Sequence, residues 1–188
     1  MYSAEFESIK EQCTLCKKCP LYGERLNIVF GKGSEKADIL FVGDFPRGED
    51  DLSGLPLSGE EGTVFSKFIT LCGIDGAELF ITNILKCRPA DGEEPDDSRY
   101  DACMEHLRSQ VRLIKPKIIV CLGETAAKKM IDPDFNTDKE HGRFIKKGKL
   151  FFIATYHPVE IADSEEKRTA FLGDFQMLRE GARNAGII

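Results

Sequence analysis

Four short apolar runs along the chain predict the strands of a central sheet. They are ADILFVGD (37–44), ELFITNIL (78–85), KIIVCLG (117–123) and KLFFIATYH (149–157). Each run is continuously apolar rather than alternating, which is typical of strands that are buried on both faces of a sheet. We therefore expect four buried strands that belong to one sheet.

Helical patterns separate these runs. The segment 62–73 places its apolar residues on one side and stops at Gly73, and the segment 96–116 carries an apolar stripe that ends before Pro116. Two more helical segments begin at Gly123 and near residue 165. Because strands that alternate with helices form parallel sheets, we expect an α/β fold. The specific expectation is a three-layer α/β/α sandwich with a central four-stranded parallel sheet, in a single domain of residues 1–188.

Polar residues follow all four predicted strands. The strand ends read Gly43-Asp44, Asn83 through Cys87, Gly123-Glu124 and His157-Pro158. In parallel α/β sheets, ligands bind beyond the carboxyl ends of the strands. These residues are therefore the first candidates for chemistry or recognition.

Composition and charge narrow the class of protein. The net charge of −6 argues against a general nucleic-acid coat, because phosphate neutralisation needs lysine and arginine. The charge is uneven, since residues 43–61 are acidic and residues 142–150 are basic, so a basic face is still compatible with the sequence.

No run reaches the roughly 18 to 20 apolar residues of a membrane span, and the polar N-terminus has no secretory h-region. We expect a cytoplasmic protein that does not enter a membrane.

Seven cysteines in a chain without an export signal predict reduced thiols or metal ligands. The stretch CTLCKKCP contains two overlapping C-x-x-C pairs, Cys13 with Cys16 and Cys16 with Cys19. One such pair and two separated cysteines can hold a tetrahedral metal ion or an iron–sulfur cluster. The absence of a second tight knuckle between Cys87 and Cys103 favours iron–sulfur over zinc. A thioredoxin-like redox motif is disfavoured because no strand precedes the pair.

The order of the motifs resembles a known family. CKKCPL, RLNIVFG, FVGDFPRGEDDLSGLPLSGEEG, ITNILKCRP, Cys103 sixteen positions beyond Cys87, IIVCLGETAA and YHP follow one another along the chain. Together they resemble the family 4 uracil-DNA glycosylases, which are iron–sulfur members of the uracil-DNA glycosylase superfamily. The resemblance covers residues 16 to 158. It implies a DNA glycosylase that acts in base excision repair.

The resemblance also implies a register for the cysteines. In the family, the second cysteine of the knuckle lies nine positions before the V-V-F-G-type strand, and here Ile28 lies nine positions after Cys19. Cys16 and Cys19 are therefore the matching pair. With Cys87 and Cys103 they are expected to hold a 4Fe-4S cluster of structural role, and Cys13 falls outside the pattern.

The resemblance implies roles for three polar residues. Asn83 matches the asparagine that pairs with the amide edge of uracil, for which a side-chain amide offers both a donor and an acceptor. His157 matches the histidine that donates toward uracil O2 as the base leaves as an anion. Asp44 stands where the family has a glutamate that positions water or steadies the cationic sugar. Without the resemblance, Asn83 and Asp44 are equally typical of turns at strand ends.

Two segments depart from the family pattern. The turn after the first predicted strand contains Phe45 and Arg47, and Leu57 occupies the position of a phenylalanine that stacks on uracil. Loss of that aromatic removes on the order of 1 to 3 kcal/mol of base stacking. Phe45 either replaces the missing aromatic from the other side of the pocket, or it fills the pocket and excludes uracil. After Pro158 the family has a basic loop, whereas this chain reads VEIADSEEKR, with Ile161 as a candidate wedge.

Two functions from different classes follow. The first is an enzyme, a monomeric glycosylase that hydrolyses the N-glycosidic bond of uracil or another deaminated base in DNA. The second is a catalytically impaired iron–sulfur paralogue that binds nucleic acid or protein. Two features favour the second function. Leu57 replaces the stacking aromatic, and the segment after Pro158 is acidic, so that it repels phosphate.

Overall fold

The computed structural model describes residues 2–74, 78–91 and 93–188. Within them, one six-stranded sheet has the order β1-β3-β2-β4-β6-β5. The strands are β1 (Lys32–Gly33), β2 (Ile39–Gly43), β3 (Leu79–Asn83), β4 (Ile118–Leu122), β5 (Ile145–Lys147) and β6 (Leu150–Thr155). The four predicted strands are the four parallel strands β2, β3, β4 and β6. The sheet is wider than expected, because β1 and β5 add antiparallel edges that are too short and too polar to show an apolar pattern.

Helices cover both faces of this sheet. They are α1 (Ala4–Thr14), α2 (Gly48–Ser53), α3 (Glu60–Leu71), α4 (Asp97–Ile114), α5 (Glu124–Met130), α6 (Thr137–Glu140) and α7 (Glu165–Asn184). Side chains cap the first turns of three of them: Ser3 accepts from Phe6 N, Asp96 from Arg99 N, and Ser164 from Lys167 N. None of the helices in the described segments is both long enough and apolar enough to cross a membrane.

Two hydrophobic clusters form the core, one on each face of the sheet. Alternate residues of β2 point to opposite faces, so that Leu40 and Val42 join one cluster while Ile39 and Phe41 join the other. The first cluster includes side chains from α1, α4 and α5, and the second includes side chains from α3 and α7. This arrangement confirms the predicted three-layer α/β/α architecture.

The strand register brings the predicted site residues to one edge of the sheet. Gly43 at the end of β2 pairs with Asn83 at the end of β3, and Thr155 at the end of β6 pairs with Leu122. The basic residues of the β5–β6 hairpin lie at the other end of the sheet, because β6 starts there. They are therefore remote from the carboxyl edge.

A close backbone contact holds the segment that follows β2. Leu57 has a left-handed backbone, with φ of 49°. Its carbonyl oxygen lies 1.9 Å from the position that a Cβ atom on Gly62 of α3 would occupy. Only a residue without a side chain fits at this position.

We expect Gly62→Ala to lower the free energy of unfolding by about 1 to 3 kcal/mol, because the new methyl group displaces the Leu57 carbonyl. Gly173→Ala is the matched control, because Gly173 also lies within a helix and a Cβ atom added to it would meet no heavy atom within 4 Å. That change should raise stability by about 0.5 to 1 kcal/mol. Urea denaturation measures both, and equal midpoints for the two variants would contradict the contact.

Candidate functional site

Asn83 and His157 converge on Gly43. A Cβ atom on Gly43 would lie 2.4 Å from Asn83 Oδ1 and 3.6 Å from His157 Nε2. Both polar side chains are buried. The missing side chain of Gly43 is therefore what allows the amide and the imidazole to share one small volume at the end of β2.

Asp44 adds a carboxylate to this junction. Its Oδ1 atom accepts hydrogen bonds from Phe45 N at 2.8 Å and from Arg47 Nη1 at 3.3 Å. The same oxygen lies 3.9 Å from His157 Nε2. The structure thus brings together Asp44, Asn83 and His157, as the sequence predicted for the carboxyl edge.

His157 is held as a neutral donor. Its Nδ1 atom accepts from the Val159 N–H at 3.2 Å, so the hydrogen-bond pattern assigns the ring proton to Nε2. Burial lowers the pKa of His157 to about 4, Asp44 opposes this shift, and Arg47 adds to it. Its backbone N–H donates to Glu160 Oε2 at 2.8 Å. The imidazole is uncharged at neutral pH, with Nε2–H directed toward the junction.

Arg47 belongs to the site, although the sequence identified it only as a departure from the family. Its Nη1 atom lies 3.3 Å from Phe45 O and 3.4 Å from His157 Nε2. The guanidinium carbon lies 5.1 Å from the centroid of the Phe45 ring. Phe45 is half-buried and packs against the first cluster. The turn after β2 therefore supplies both an aromatic ring and a cation next to Asp44.

Two buried carboxylates anchor the segment between β2 and α3. Asp50 accepts from Arg47 N at 3.1 Å and from Ser58 N at 2.8 Å. Asp51 accepts from Leu26 N at 3.0 Å, which ties the segment to the chain before β1. Burial raises the pKa of Asp50, and its two backbone hydrogen bonds oppose that rise. These residues appeared in the sequence only as acidic charge, because which backbone amides they bind depends on how the segment folds.

Two hydrophobic residues with predicted roles are buried. Leu57 is 7% exposed and packs in the second cluster, and Ile161 is 0% exposed in the same cluster. The expectation that Ile161 wedges into DNA is wrong for this conformation, because its side chain is part of the core. Val159 is 41% exposed, so this loop presents its side chain to solvent.

The acidic loop after Pro158 carries less free negative charge than its sequence indicated. Glu160 Oε1 pairs with Lys167 Nζ at 2.9 Å, while Glu160 Oε2 accepts from the His157 backbone. Glu160 therefore supports the backbone at His157 and is partly neutralised.

The four predicted cysteine ligands line one cavity. Its wall includes Cys13, Cys16, Cys19, Cys87 and Cys103, together with Lys18, Tyr22, Arg25, Ile28, Lys86, Ala102 and His106. All of these cysteines are free thiols. In the described residues, no three His, Cys, Asp or Glu side chains are grouped so that they could hold a metal ion. Cys13, which the family pattern leaves out, shares the wall with the other four.

Cationic and donor groups surround the thiols. Arg25 Nη1 donates to Cys87 Sγ at 3.0 Å. Burial raises the pKa of Cys103 to about 11 and that of Cys13 to about 12, and Lys86 opposes both shifts. His106 Nε2 is buried and has no hydrogen-bond partner among the described residues. Burial therefore disfavours negative charge on these sulfurs, while Lys86 and Arg25 favour it.

Lys86 connects the cavity to the end of β3. Its side chain is fully buried, and Nζ donates to Thr82 Oγ1 at 2.6 Å, Asn83 O at 2.6 Å and Gln110 Oε1 at 2.7 Å. Burial lowers the pKa of Lys86 to about 8, and the nearby cysteines Cys13, Cys103 and Cys87 oppose this effect. Nothing in the local sequence distinguishes this lysine from an exposed one.

Comparisons with known proteins identify the family of this chain. The profile of the Uracil DNA glycosylase superfamily matches residues 30–177. The chain is 34% identical to a type-4 uracil-DNA glycosylase of Archaeoglobus fulgidus, over 93% of this chain and 92% of that protein. It is 35% identical to one of Sulfurisphaera tokodaii, over 93% of this chain and 83% of that protein. It is 32% identical to one of Thermotoga maritima, over 99% of this chain and 100% of that protein.

These matches confirm the resemblance found in the motifs, and they confirm an enzyme of the glycosylase class. The matched region contains β2, β3 and β6, whose ends carry Asp44, Asn83 and His157. The chain therefore belongs to the uracil-DNA glycosylase superfamily, and within it to the type-4 uracil-DNA glycosylases.

Proposed function

We propose that this protein removes uracil from DNA by hydrolysing the N-glycosidic bond, as a step of base excision repair. The observation that carries the proposal is the convergence of Asn83, His157 and Asp44 at Gly43. The relatives named type-4 uracil-DNA glycosylases support it. DNA is the proposed partner, and the site takes one nucleotide that has been turned out of the stack.

Asn83 recognises the base in this proposal. Its side-chain amide offers a donor and an acceptor, which match the carbonyl and imide N–H of uracil. Its position is defined from two sides, because Ile84 N donates to Gly43 O at 2.9 Å and Lys86 Nζ binds Asn83 O at 2.6 Å. These contacts fix the backbone that carries the amide, and a recognition group on a fixed backbone discriminates well between bases.

His157 and Asp44 act on the bond. As the bond from C1′ to N1 breaks, its electron pair goes to the base, and His157 Nε2–H donates toward the oxygen on which negative charge develops. Asp44 Oδ2 makes no hydrogen bond to the described part of the chain and is free to orient water. The water oxygen bonds to C1′ and releases one proton, and the departing base takes up one proton from solvent.

We propose that Cys16, Cys19, Cys87 and Cys103 hold a 4Fe-4S cluster. The donor chemistry fits this group, because four thiols and the cations Arg25 and Lys86 line one cavity, although the thiols do not stand at metal-ligand spacing in the described residues. The wall also contains His106 Nε2, a buried nitrogen with no hydrogen-bond partner in the described part of the chain. A bound cluster supplies a covalent junction between the segment after α1, the end of β3 and helix α4. Its role is therefore to hold the end of β3 in place.

Uracil release tests the activity. We expect cluster-loaded protein to release free uracil from a uracil-containing oligonucleotide, single- or double-stranded, at low salt. His157→Ala should lower the single-turnover rate about 100- to 1,000-fold, because it removes the donor to the developing charge. Asn83→Ala should lower it about tenfold or more. The exposed Asn184 at the end of α7 provides the control Asn184→Ala.

If the protein releases neither uracil nor any other deaminated base, the proposal that it is an enzyme is wrong. DNA or protein binding without release would then favour the impaired paralogue.

The cysteine assignment is tested by spectroscopy. Protein purified without oxygen should show the broad visible absorbance of an iron–sulfur protein, and Cys87→Ser should abolish it. Cys13→Ser is the matched control, since Cys13 lies in the same wall but outside the family pattern, and its absorbance should be unchanged. Loss of absorbance in the Cys13 variant with retention in the Cys87 variant would reverse the assignment.

The buried neutral His157 should make stability fall in mild acid. Its pKa is about 4 in the folded protein against 6.5 ordinarily, so the unfolded chain binds more protons between these values. The contribution of the neutral His157 to the free energy of unfolding is fully present above pH 6.5 and decreases as the pH falls toward 4. Between pH 6.5 and 5.0 the loss should be about 1.5 kcal/mol. The free energy of unfolding is measured by urea denaturation at pH 6.5 and at pH 5.0. The decrease between the two should be smaller in His157→Gln than in the wild type by that amount. An equal decrease in both proteins would contradict a neutral buried imidazole.

A further inference from the structure

Two nitrogen donors approach the same point in the site. Arg47 Nη1 lies 3.4 Å from His157 Nε2, and both atoms face Asp44 Oδ1, at 3.3 Å and 3.9 Å respectively. The arginine is not required by the recognition scheme proposed above. Its placement next to the histidine therefore needs its own explanation.

The contact between Arg47 and His157 is not a hydrogen bond. A neutral imidazole has one acceptor nitrogen, and Nδ1 uses that capacity for the Val159 N–H. Nε2 therefore carries a proton, and an arginine N–H opposes an imidazole N–H across 3.4 Å. The distance of 3.9 Å to Asp44 Oδ1 is too long for a hydrogen bond. The buried Nε2–H thus has no acceptor in the described part of the chain, although buried donors are normally paired.

The Arg47 side chain is held in this position. Its backbone N–H donates to Asp50 Oδ2 at 3.1 Å, and its Nη1 atom contacts Phe45 O at 3.3 Å. The guanidinium group also lies over the Phe45 ring, at 5.1 Å from the centroid. The side chain is 29% exposed and therefore partly shielded from water. A fixed cation beside an unpaired neutral donor is an arrangement that stabilises an anionic oxygen.

We propose that Arg47 is a second, cationic donor that forms an anion hole with His157 for the departing base. This inference rests on the proposed function and adds a catalytic residue to it. The ligand class is a pyrimidine with a carbonyl oxygen next to the nitrogen of the breaking bond. That bond breaks with its electron pair on the base, and Arg47 stabilises the resulting charge while keeping its own proton. Asp44 positions the guanidinium group until the base enters.

The leaving-group dependence of the reaction tests the proposal. Single-turnover release is measured for oligonucleotides containing uracil or 5-fluorouracil, with cluster-loaded wild type, Arg47→Met and Arg47→Lys. Arg183→Met serves as a matched control, because Arg183 is an exposed arginine in the last turn of α7. 5-Fluorouracil is the more acidic base and needs less stabilisation as an anion.

The expected result is a loss of about 100- to 1,000-fold for uracil in Arg47→Met, the size typical of a lost anion-hole donor. The loss should be clearly smaller for 5-fluorouracil, and Arg47→Lys should recover part of the rate. Arg183→Met should release both bases at the wild-type rate.

Other outcomes overturn the proposal in distinct ways. Equal losses of the release rate for both bases would assign Arg47 a structural role. Faster release in Arg47→Met would show that the arginine side chain obstructs the pocket. An unchanged maximal rate with weaker, less salt-dependent DNA binding would make it a phosphate contact. Failure of the wild type to release either base would overturn the proposed function itself, and the anion hole with it.

Discussion

The close approach of three chain segments at Gly43 is the constraint on which the site depends. Any side chain at this position would overlap Asn83 Oδ1, since a Cβ atom would lie 2.4 Å from it. The side chains of Asn83 and His157 therefore reach the end of β2 only because β2 ends in a glycine. The same edge receives the Asp44 carboxylate and the Arg47 guanidinium, so that the groups proposed for recognition, charge stabilisation and water orientation lie next to one another.

Lys86 extends this constraint into the protein. Its three hydrogen-bond acceptors are neutral, and one of them is the main-chain oxygen of Asn83. A buried ammonium group without a paired anion costs several kcal/mol, so its countercharge has to come from nearby. The cavity that Lys86 lines contains five thiols, and thiolates bound in the proposed cluster would supply that countercharge. The end of β3 is thus coupled to the state of the cysteine cavity by one side chain.

Negative charge in this chain has structural roles near the site. Asp50 and Asp51 use their carboxylates to bind backbone amides, and Glu160 supports the backbone of His157. Part of the acidic sequence around the site therefore serves to fix its backbone.

The sequence by itself determined the four parallel strands, the main helices, the family and the residues Asp44, Asn83 and His157. These follow from local apolar runs and from motifs whose residues are adjacent in the chain. Only the tertiary structure decided that Ile161 is buried, that Cys13 joins the cysteine cavity, and that Arg47 and Lys86 contact the site residues. The physical reason is that burial and hydrogen bonding depend on which distant segments meet. Arg47 and His157 are 110 positions apart in the chain, and their contact exists only after β2 and β6 have entered the same sheet.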